Sequence, residues 1–265
     1  MKIDLKQLEI LYFQNDLEVP YTLKDKTQLL VYPIKVKDWS VFEACEPILK
    51  INKNRFDSIE ILQMSYLNFL VEHVLSDKEN MNKLTMLFSL CLKENKVVAK
   101  KSANLVYLEI LDDVGNVKHK IEKKDFDNIS KIILNQNTFN YDDVELSEDI
   151  QKSLELYYAT LGNQGESPKL ERQKTYVMSK NGMTMRTIND MSYRSFSLMY
   201  RAMLDNDLYI ARNILKSGYS CTIEGEVKHP LFEKELTPTE RLMKNAFVDS
   251  SSVKNKLDKA GVKTI

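Results

Sequence analysis

Side chains capable of acid–base, metal or nucleophilic chemistry are scattered along this sequence and form no recognisable site. The three histidines, His73, His119 and His229, share no spacing with one another or with a cysteine, as zinc ligands would. The sequence has no phosphate-binding glycine loop, no serine-hydrolase elbow and no HExxH zinc motif. It therefore predicts no catalytic, cofactor-binding or metal-binding residues, and a protein that is not an enzyme.

Two pairs of adjacent carboxylates, Asp112-Asp113 and Asp142-Asp143, are the best candidates for general acid–base catalysis. The first pair flanks a glycine turn and the second lies in a run of charged residues. Turn chemistry and a solvated surface explain these positions better than a catalytic pair does. Only residues from separate elements, brought together by folding, could then form an active site.

Cysteine usage and the first residues predict a cytoplasmic protein. Cys45, Cys91 and Cys221 are odd in number and far apart, so we expect reduced structural thiols and no disulfide or zinc site. No apolar run reaches the roughly 18 residues that a membrane span needs. Charges also interrupt the first ten residues, where a signal peptide would be apolar.

The composition predicts a globular and largely helical fold. Hydrophobic residues make up 43% and charged residues 29% of the 265 positions, with only seven glycines and six prolines. The net charge of zero is unevenly divided: from Glu166 onwards there are 17 basic and 12 acidic side chains, which leaves an acidic excess in the residues before it. This asymmetry indicates either two partner-binding surfaces of opposite charge or two solvated faces.

The N-terminal part of the chain contains patterns for both strands and helices. Apolar, β-branched and aromatic residues predict short strands at 8–13 and 28–34. Asp38 is a candidate cap for the next helix. Apolar residues surround nearly the whole of 57–75, which is typical of a central helix, and we expect His73 to be a hydrogen-bonded core residue in it.

The clearest β signal is a hairpin over 104–121, in which Gly115 supplies the positive φ of a tight turn. A helix over 81–92 precedes it. Another helix follows it, with Asp125 as the predicted cap. The apolar positions of that helix, spaced i, i+3, i+6 and i+7, are Phe126, Ile129, Ile132 and Ile133.

Strong capping signals lie in the C-terminal half. A helix over 169–180 is expected to stop at Gly182. Thr184 is the predicted cap of a short helix and Ser192 that of an amphipathic one. The segment DLYIARNILKSG predicts a further, separate helix closed by a glycine.

The predicted fold class is mainly α with a small antiparallel β element. Two glycines and a proline fall in GNQGESP, which makes this stretch the best linker candidate. The predicted organisation is a mixed N-terminal domain at 1–161, a linker at 162–168, a helical C-terminal module at 169–249 and a flexible tail at 250–265.

Methionine is concentrated near the start of the helical module, where six of the eleven lie between Met178 and Met203. Flexible thioethers suit a groove that accepts varied apolar helices, but they also suit an ordinary core. The predicted partner-binding residues are Met191, Tyr193, Arg194, Phe196, Met199, Tyr200 and Met203.

The helix, the Gly182 turn and the second helix also have the outline of a helix-turn-helix DNA-binding motif. Against this, the second helix is only about two turns long, Met178 stands where a small side chain is usual, and the basic excess is modest. We therefore expect no nucleic-acid binding and keep a DNA-binding regulator as an alternative. The basic residues that would contact phosphates are Arg172, Lys174, Lys180, Arg186, Arg194, Arg201, Arg212 and Lys216.

The order of these segments resembles that of proteins from the tail modules of phages and prophages of Gram-positive bacteria. The segments that carry the resemblance are VYPIKVKDW, LQMSYLNFL, DFDNISKIILNQN and LERQKTYVMSKNGMTMRTINDMSYRSFSLMY. A short helix followed by Met-Ser-Tyr-Arg-x-Phe is similar to a pattern of phage tail assembly chaperones. Here it comprises Met191, Ser192, Tyr193, Arg194 and Phe196.

The resemblance implies a tail assembly chaperone that holds apolar helices of the tape-measure protein and recruits tail-tube subunits in the host cytoplasm. Self-association into a homo-oligomer is compatible with it. The chain is long for a simple chaperone and has an added hairpin. A minor structural protein of the phage tail or baseplate, located in the virion, is therefore the alternative.

Overall fold

The computed structural model describes residues 3–53, 56, 58–94, 96–102, 105–138 and 168–217. They form a mainly α fold with two small antiparallel sheets, in agreement with the predicted fold class. The strands are β1 Val19–Thr22, β2 Gln28–Val31, β3 Lys96–Ser102, β4 Leu105–Leu111 and β5 Val117–Ile121. The helices are α1 Leu5–Leu11, α2 Trp39–Cys45, α3 Ile59–Gln63, α4 Tyr66–Phe69, α5 Lys78–Leu92, α6 Lys123–Asn137, α7 Leu170–Asn181, α8 Met185–Asp190 and α9 Tyr193–Ser217.

Contacts between Cα atoms divide the chain differently from the predicted domains. One unit combines Met1–Phe139 with Ser167–Leu204, and the other combines Asn140–Glu166 with Asp205–Ile265. The start of the predicted C-terminal module therefore belongs to the same unit as the N-terminal residues. The predicted linker, apart from Pro168, and the predicted tail lie outside the described residues.

Backbone hydrogen bonds explain why the first unit combines two distant segments. The Val36 amide donates to the Met191 carbonyl at 3.0 Å, and the Tyr193 amide donates to the Ile34 carbonyl at 2.7 Å. These bonds flank an antiparallel bridge between Lys35 and Ser192. The turn before α9 is thus fixed to the segment that follows β2, which a reading of local patterns could not detect.

The strand predicted at 8–13 is wrong, because most of this segment belongs to α1. The Asp4 carboxylate accepts hydrogen bonds from the backbone amides of Lys6 and Gln7 at 3.1 and 3.2 Å, which is a helix N-cap. The strand predicted at 28–34 is present over its first four residues as β2, and it pairs with β1, which was not predicted.

The predicted central helix at 57–75 is interrupted. Ser58 caps α3 and Ser65 caps α4, with an extended residue, Met64, between the two helices. The first part is not central, since Ile59 is 76% exposed. The buried residues of the segment follow the break. His73, which we expected in the core, is exposed and stacks on Phe69 at a ring distance of 6.0 Å.

The predicted hairpin at 104–121 is confirmed as β4 and β5, with Gly115 at φ 94° in its turn. A third strand, β3, pairs along the whole of β4 and was not predicted. Its sequence, KVVAKKS, contains three lysines and only two adjacent β-branched residues. Lysine at a sheet edge prevents pairing with other chains, and it also weakens the strand signal.

Helix α6 is a main support of the core. Its four predicted apolar residues are all buried, and Phe126 stacks on Phe88 of α5 at a ring distance of 5.3 Å. Asp125 does not cap the helix, which begins two residues earlier at Lys123. The helix ends at Asn137, whose side chain accepts a hydrogen bond from the Ile34 amide at 2.7 Å. Helix α5 confirms the prediction at 81–92.

Helices α7 to α9 follow the predicted capping signals. Gly182 has φ 66° and ends α7. The Thr184 hydroxyl accepts a hydrogen bond from the Thr187 amide at 3.2 Å, and Ser192 caps α9 through the Ser195 amide at 3.1 Å. Helix α9 runs unbroken for 25 residues, so the separate last helix that we predicted is a continuation of it.

Candidate functional site

The seven predicted partner-binding residues lie at the turn before α9 and on its first three turns, but their burial differs. Arg194 and Phe196 are buried, with relative exposures of 6% and 0%. The other five residues are half-buried. Only residues of the second group have surface to offer to a partner in the folded protein.

Phe196 is part of a small core, so its assignment as a contact residue is corrected. Together with Val36, Val177 and Ile188 it forms a buried apolar cluster. These residues come from α7, α8, α9 and the segment after β2. The burial of Phe196 depends on Val36, which lies 160 residues earlier, and the helical pattern alone could not reveal this.

Arg194 is likewise corrected to a structural role. Its guanidinium donates to the Asn135 carbonyl at 3.0 Å and to the Glu9 carboxylate at 2.7 Å. It also lies 5.9 Å from the centre of the Phe13 ring. The side chain thereby connects α9 to both α1 and α6, and it is not available for a phosphate or a partner carboxylate.

Tyr193 is half-buried because its ring lies flat on Trp39. The two ring centres are 3.3 Å apart and the planes differ by 5°. Burial raises the pKa of the Tyr193 hydroxyl to about 12, and the nearby carboxylates of Glu43 and Glu46 act in the same direction. Both effects disfavour the tyrosinate, so Tyr193 stays neutral over the whole physiological range.

A second group of contacts at the start of α9 was not predicted at all. The carboxylate of Asp16 accepts hydrogen bonds from the hydroxyls of Ser192 and Ser195, the latter at 2.7 Å. Asp16 has a left-handed backbone at φ 55°, which is less costly for aspartate than for most residues. Ser192 therefore has two roles, as the helix cap and as a partner of the N-terminal segment.

Five half-buried methionines pack against the buried cluster, and we call this set the methionine surface. It consists of Met178, Met183, Met191, Met199 and Met203, all packed against the buried cluster. Each side chain covers the core on one side and retains exposed area on the other. A groove for a partner helix needs exposed area at Met199 and Met203, and both side chains are half-buried.

Aromatic and polar side chains border the methionine surface. The rings of Tyr176 and Tyr200 meet edge to face at 5.7 Å, and Tyr200 also stacks on Phe196. The Asn181 amide lies 3.2 Å from the Met199 sulfur. Thioethers and ring edges can rearrange at small cost, since their contacts are weakly directional.

The groups considered for chemistry remain separate among the described residues. No three His, Cys, Asp or Glu side chains come together there as a metal site would require. Asp112 has the turn role expected of it, because its carboxylate accepts bonds from the amides of Val114 and Asn116 at 3.0 and 2.7 Å. Cys45 and Cys91 are buried free thiols, and burial raises the pKa of both.

Several of the basic residues considered for DNA binding are engaged within the protein, and one of them, Lys180, has its ammonium 5.7 Å from the centre of the Tyr176 ring. Arg194 is buried, and the Lys174 ammonium donates to the Asn189 side chain at 2.8 Å.

None of the described helices is long and apolar enough to cross a membrane. No protein-family model, curated protein or solved structure matches this chain.

Proposed function

We propose that this protein is a non-enzymatic binding factor whose methionine surface holds an apolar helix of another protein. The observation that carries the proposal is the half-exposure of five methionines around one buried cluster. A surface of this kind offers apolar area to a partner while its support stays packed. The contact residues are Met191, Met199, Tyr200 and Met203, with Tyr193 at the edge.

The physical basis of recognition is the adaptability of the thioether. Methionine has three rotatable side-chain bonds, so it can fill the spaces between the side chains of different apolar helices. Met199 and Met203 are four residues apart on α9 and thus lie on the same face of the helix. A client helix lying along this face would bury its own apolar stripe against them, as in other complexes of a helix with a groove.

Charge near the methionine surface favours one kind of client. Helices α7 and α8, the first of which carries Met178, have four basic side chains against two acidic ones, Glu171 and Asp190. Rim charges of this sign attract helices whose apolar stripe is flanked by acidic side chains, and they repel basic ones. They act mainly on association rate and orientation, because exposed charges are screened by salt.

Within this class of function, we propose a role in phage tail assembly, with the tape-measure protein as the client and the tail-tube subunit as a second partner. The order of sequence segments and the Met-Ser-Tyr-Arg-x-Phe pattern support it. In this role the protein would cover apolar helices of the tape-measure protein until tube subunits replace it.

The test is a pull-down of the tagged protein from cells that produce the neighbouring phage tail genes, followed by mass spectrometry. We expect a long helical tail protein to co-purify, and Met199→Asp to abolish its recovery. Met86→Asp is the matched control, because Met86 is 51% exposed on α5 and is not part of the methionine surface. Circular dichroism checks that both variants fold, and Met199→Gln is the milder substitute if Met199→Asp does not.

Three results would overturn the proposal. One is equal recovery of the client by Met199→Asp and Met86→Asp, and another is recovery of DNA alone. The third is stoichiometric incorporation of the protein into purified particles, which would make it a structural tail component.

A further inference from the structure

A cavity of about 820 Å³ lies between β1 with the turn after it, strands β4 and β5, and the first turn of α6. Small-molecule sites in proteins usually occupy about 300–1,000 Å³, so this one is large enough for an organic ligand. None of the seven predicted partner-binding residues lines it. An inference about this cavity therefore does not depend on the proposed function.

Much of the cavity wall is apolar. Buried residues of the wall come from β1, from the turn after β1, from β4 and from α6; they are Val19, Leu23, Val106 and Ile132. Ile3 and Leu8 close the side formed by the N-terminal segment. Transfer of an alkyl or aromatic group from water to this wall is favourable, at about 25 cal/mol per Å² of apolar surface removed from water.

The charged lining of the cavity is predominantly positive. It contains four lysines, Lys24, Lys120, Lys123 and Lys124, against two carboxylates, Glu122 and Asp125. The lining therefore has an excess of two positive charges. Such an excess favours an anionic ligand over a neutral or cationic one.

Both carboxylates are already bound by groups of the protein. The buried Asp125 accepts hydrogen bonds from the Tyr21 hydroxyl at 2.8 Å and from the Lys24 amide at 3.3 Å. Glu122 forms an ion pair with the Lys24 ammonium at 2.8 Å. Neither acid requires a cation from a ligand, so the lysines other than Lys24 determine the charge preference.

Those three lysines lie close to one another in sequence, around the start of α6. The Lys120 ammonium is positioned 3.8 Å from the centre of the Tyr107 ring. Lys123 and Lys124 occupy the first turn of α6, where the helix dipole adds to the attraction of a negative group. Among the described residues, no ion pair involves Lys120, Lys123 or Lys124.

We propose that this cavity binds a small amphipathic carboxylate of the medium-chain alkyl type. Its chain contacts Val19, Leu23 and Ile132. Its carboxylate is held by Lys123 and Lys124, with Lys120 beside them. Apolar walls and a cationic end together define this class of ligand. The apolar walls alone would select a neutral hydrocarbon, and the lysines alone would select a simple anion.

The proposal is tested by isothermal titration calorimetry of the full chain with decanoate. We expect wild-type protein to bind decanoate, and the double variant Lys123→Gln/Lys124→Gln to bind it at least about tenfold more weakly. Lys96→Gln/Lys100→Gln is the matched control, because it removes the same charge from exposed positions of β3 that do not line the cavity. It should bind as the wild type does.

Two further probes separate the contributions of the chain and the head group. Acetate, which has the carboxylate alone, should give no measurable heat, and decanol should bind at least about tenfold more weakly than decanoate. The absence of decanoate binding to protein that is folded by circular dichroism would overturn the proposal. So would equal affinities of the two lysine variants, or acetate binding as tight as that of decanoate.

Discussion

Arg194 and Glu9 form an ion pair at 2.7 Å although 185 residues separate them in the sequence. The arginine side chain is only 7% exposed, whereas the glutamate side chain is 46% exposed. The pair thus consists of a buried cation and a carboxylate at the surface. It connects α1 to α9, and Asn135 of α6 receives a second bond from the same guanidinium.

Replacement of Arg194 by methionine should destabilise the protein by about 2 kcal/mol. The Asn135 carbonyl would lose its charged donor, while Glu9 could regain water because it is half-exposed. Urea unfolding followed by circular dichroism measures this difference. Glu9→Gln is the control, since it retains a hydrogen-bond acceptor and should cost less than about 1 kcal/mol. If Arg194→Met matched the wild type, the connection would have no structural role.

Phe196 and Met203 lie on the same face of α9 but differ in burial, and their truncation should therefore have unequal effects. Phe196→Ala removes a ring that is 0% exposed and should cost about 3–5 kcal/mol. Met203→Ala removes a half-buried side chain and should cost distinctly less, about 1–2 kcal/mol. Urea unfolding of both variants provides the comparison. Equal losses would show that Met203 is a core residue, and the methionine surface would then lose one of its members.

Gly182 should resist substitution because of its backbone and not because of its surroundings. Its φ is 66°, and a Cβ at this position would meet nothing within 4 Å. Gly182→Ala should cost about 1 kcal/mol from the left-handed conformation alone. Gly182→Asn should cost less, because asparagine tolerates this region better. Thermal unfolding of the two variants distinguishes backbone strain from steric overlap. If steric overlap were the cause, Gly182→Asn would lose more stability than Gly182→Ala, because asparagine is the larger residue.

Elements that depend on residues close together in the sequence were predicted more accurately than elements that depend on distant residues. The caps Thr184 and Ser192 and the stop at Gly182 depend on residues within a few positions, and they were predicted correctly. The apolar stripe of α6 was also clear from its spacing. The segment at 8–13 was assigned to a strand because its apolar content outweighed Asp4, whose cap makes it a helix.

The part of the candidate site that could not be predicted depends on long-range contacts. From their residue types alone, Arg194 and Phe196 resemble residues that contact a partner. In the folded protein, Glu9 pairs with Arg194, and Val36 packs with Phe196 in a buried cluster. A pattern within a few neighbouring residues cannot show that these distant segments meet in the fold. The concentration of methionines between Met178 and Met203 could be seen in the sequence, because it does not depend on tertiary contacts, but their half-exposure could not.

The pKa of Tyr21 gives a prediction for the alkaline pH range. Burial, with a smaller contribution from the hydrogen bond to Asp125, raises this pKa to about 12 from an ordinary value of 10.0, although a hydrogen bond from Asn128 opposes the change. Below pH 10 the phenol is protonated in both the folded and the unfolded chain, so its contribution to stability is fully present. Between pH 10 and about pH 12 the unfolded chain loses the proton first, and stability falls as the pH rises.

Tyr21→Phe removes this titration, so its stability should depend less on pH than that of the wild type. Near neutral pH the variant should be less stable by about 1 kcal/mol, because Asp125 and Asn128 lose a hydrogen-bonding partner. This gap should narrow as the pH rises from about 10 to about 12, since only the wild type loses the contribution of a raised tyrosine pKa. Urea unfolding of both proteins at intervals across this range measures the gap. A constant gap would mean that Tyr21 ionises in the folded protein as readily as in the unfolded chain, and a widening gap that it ionises more readily there; either result would contradict the raised pKa.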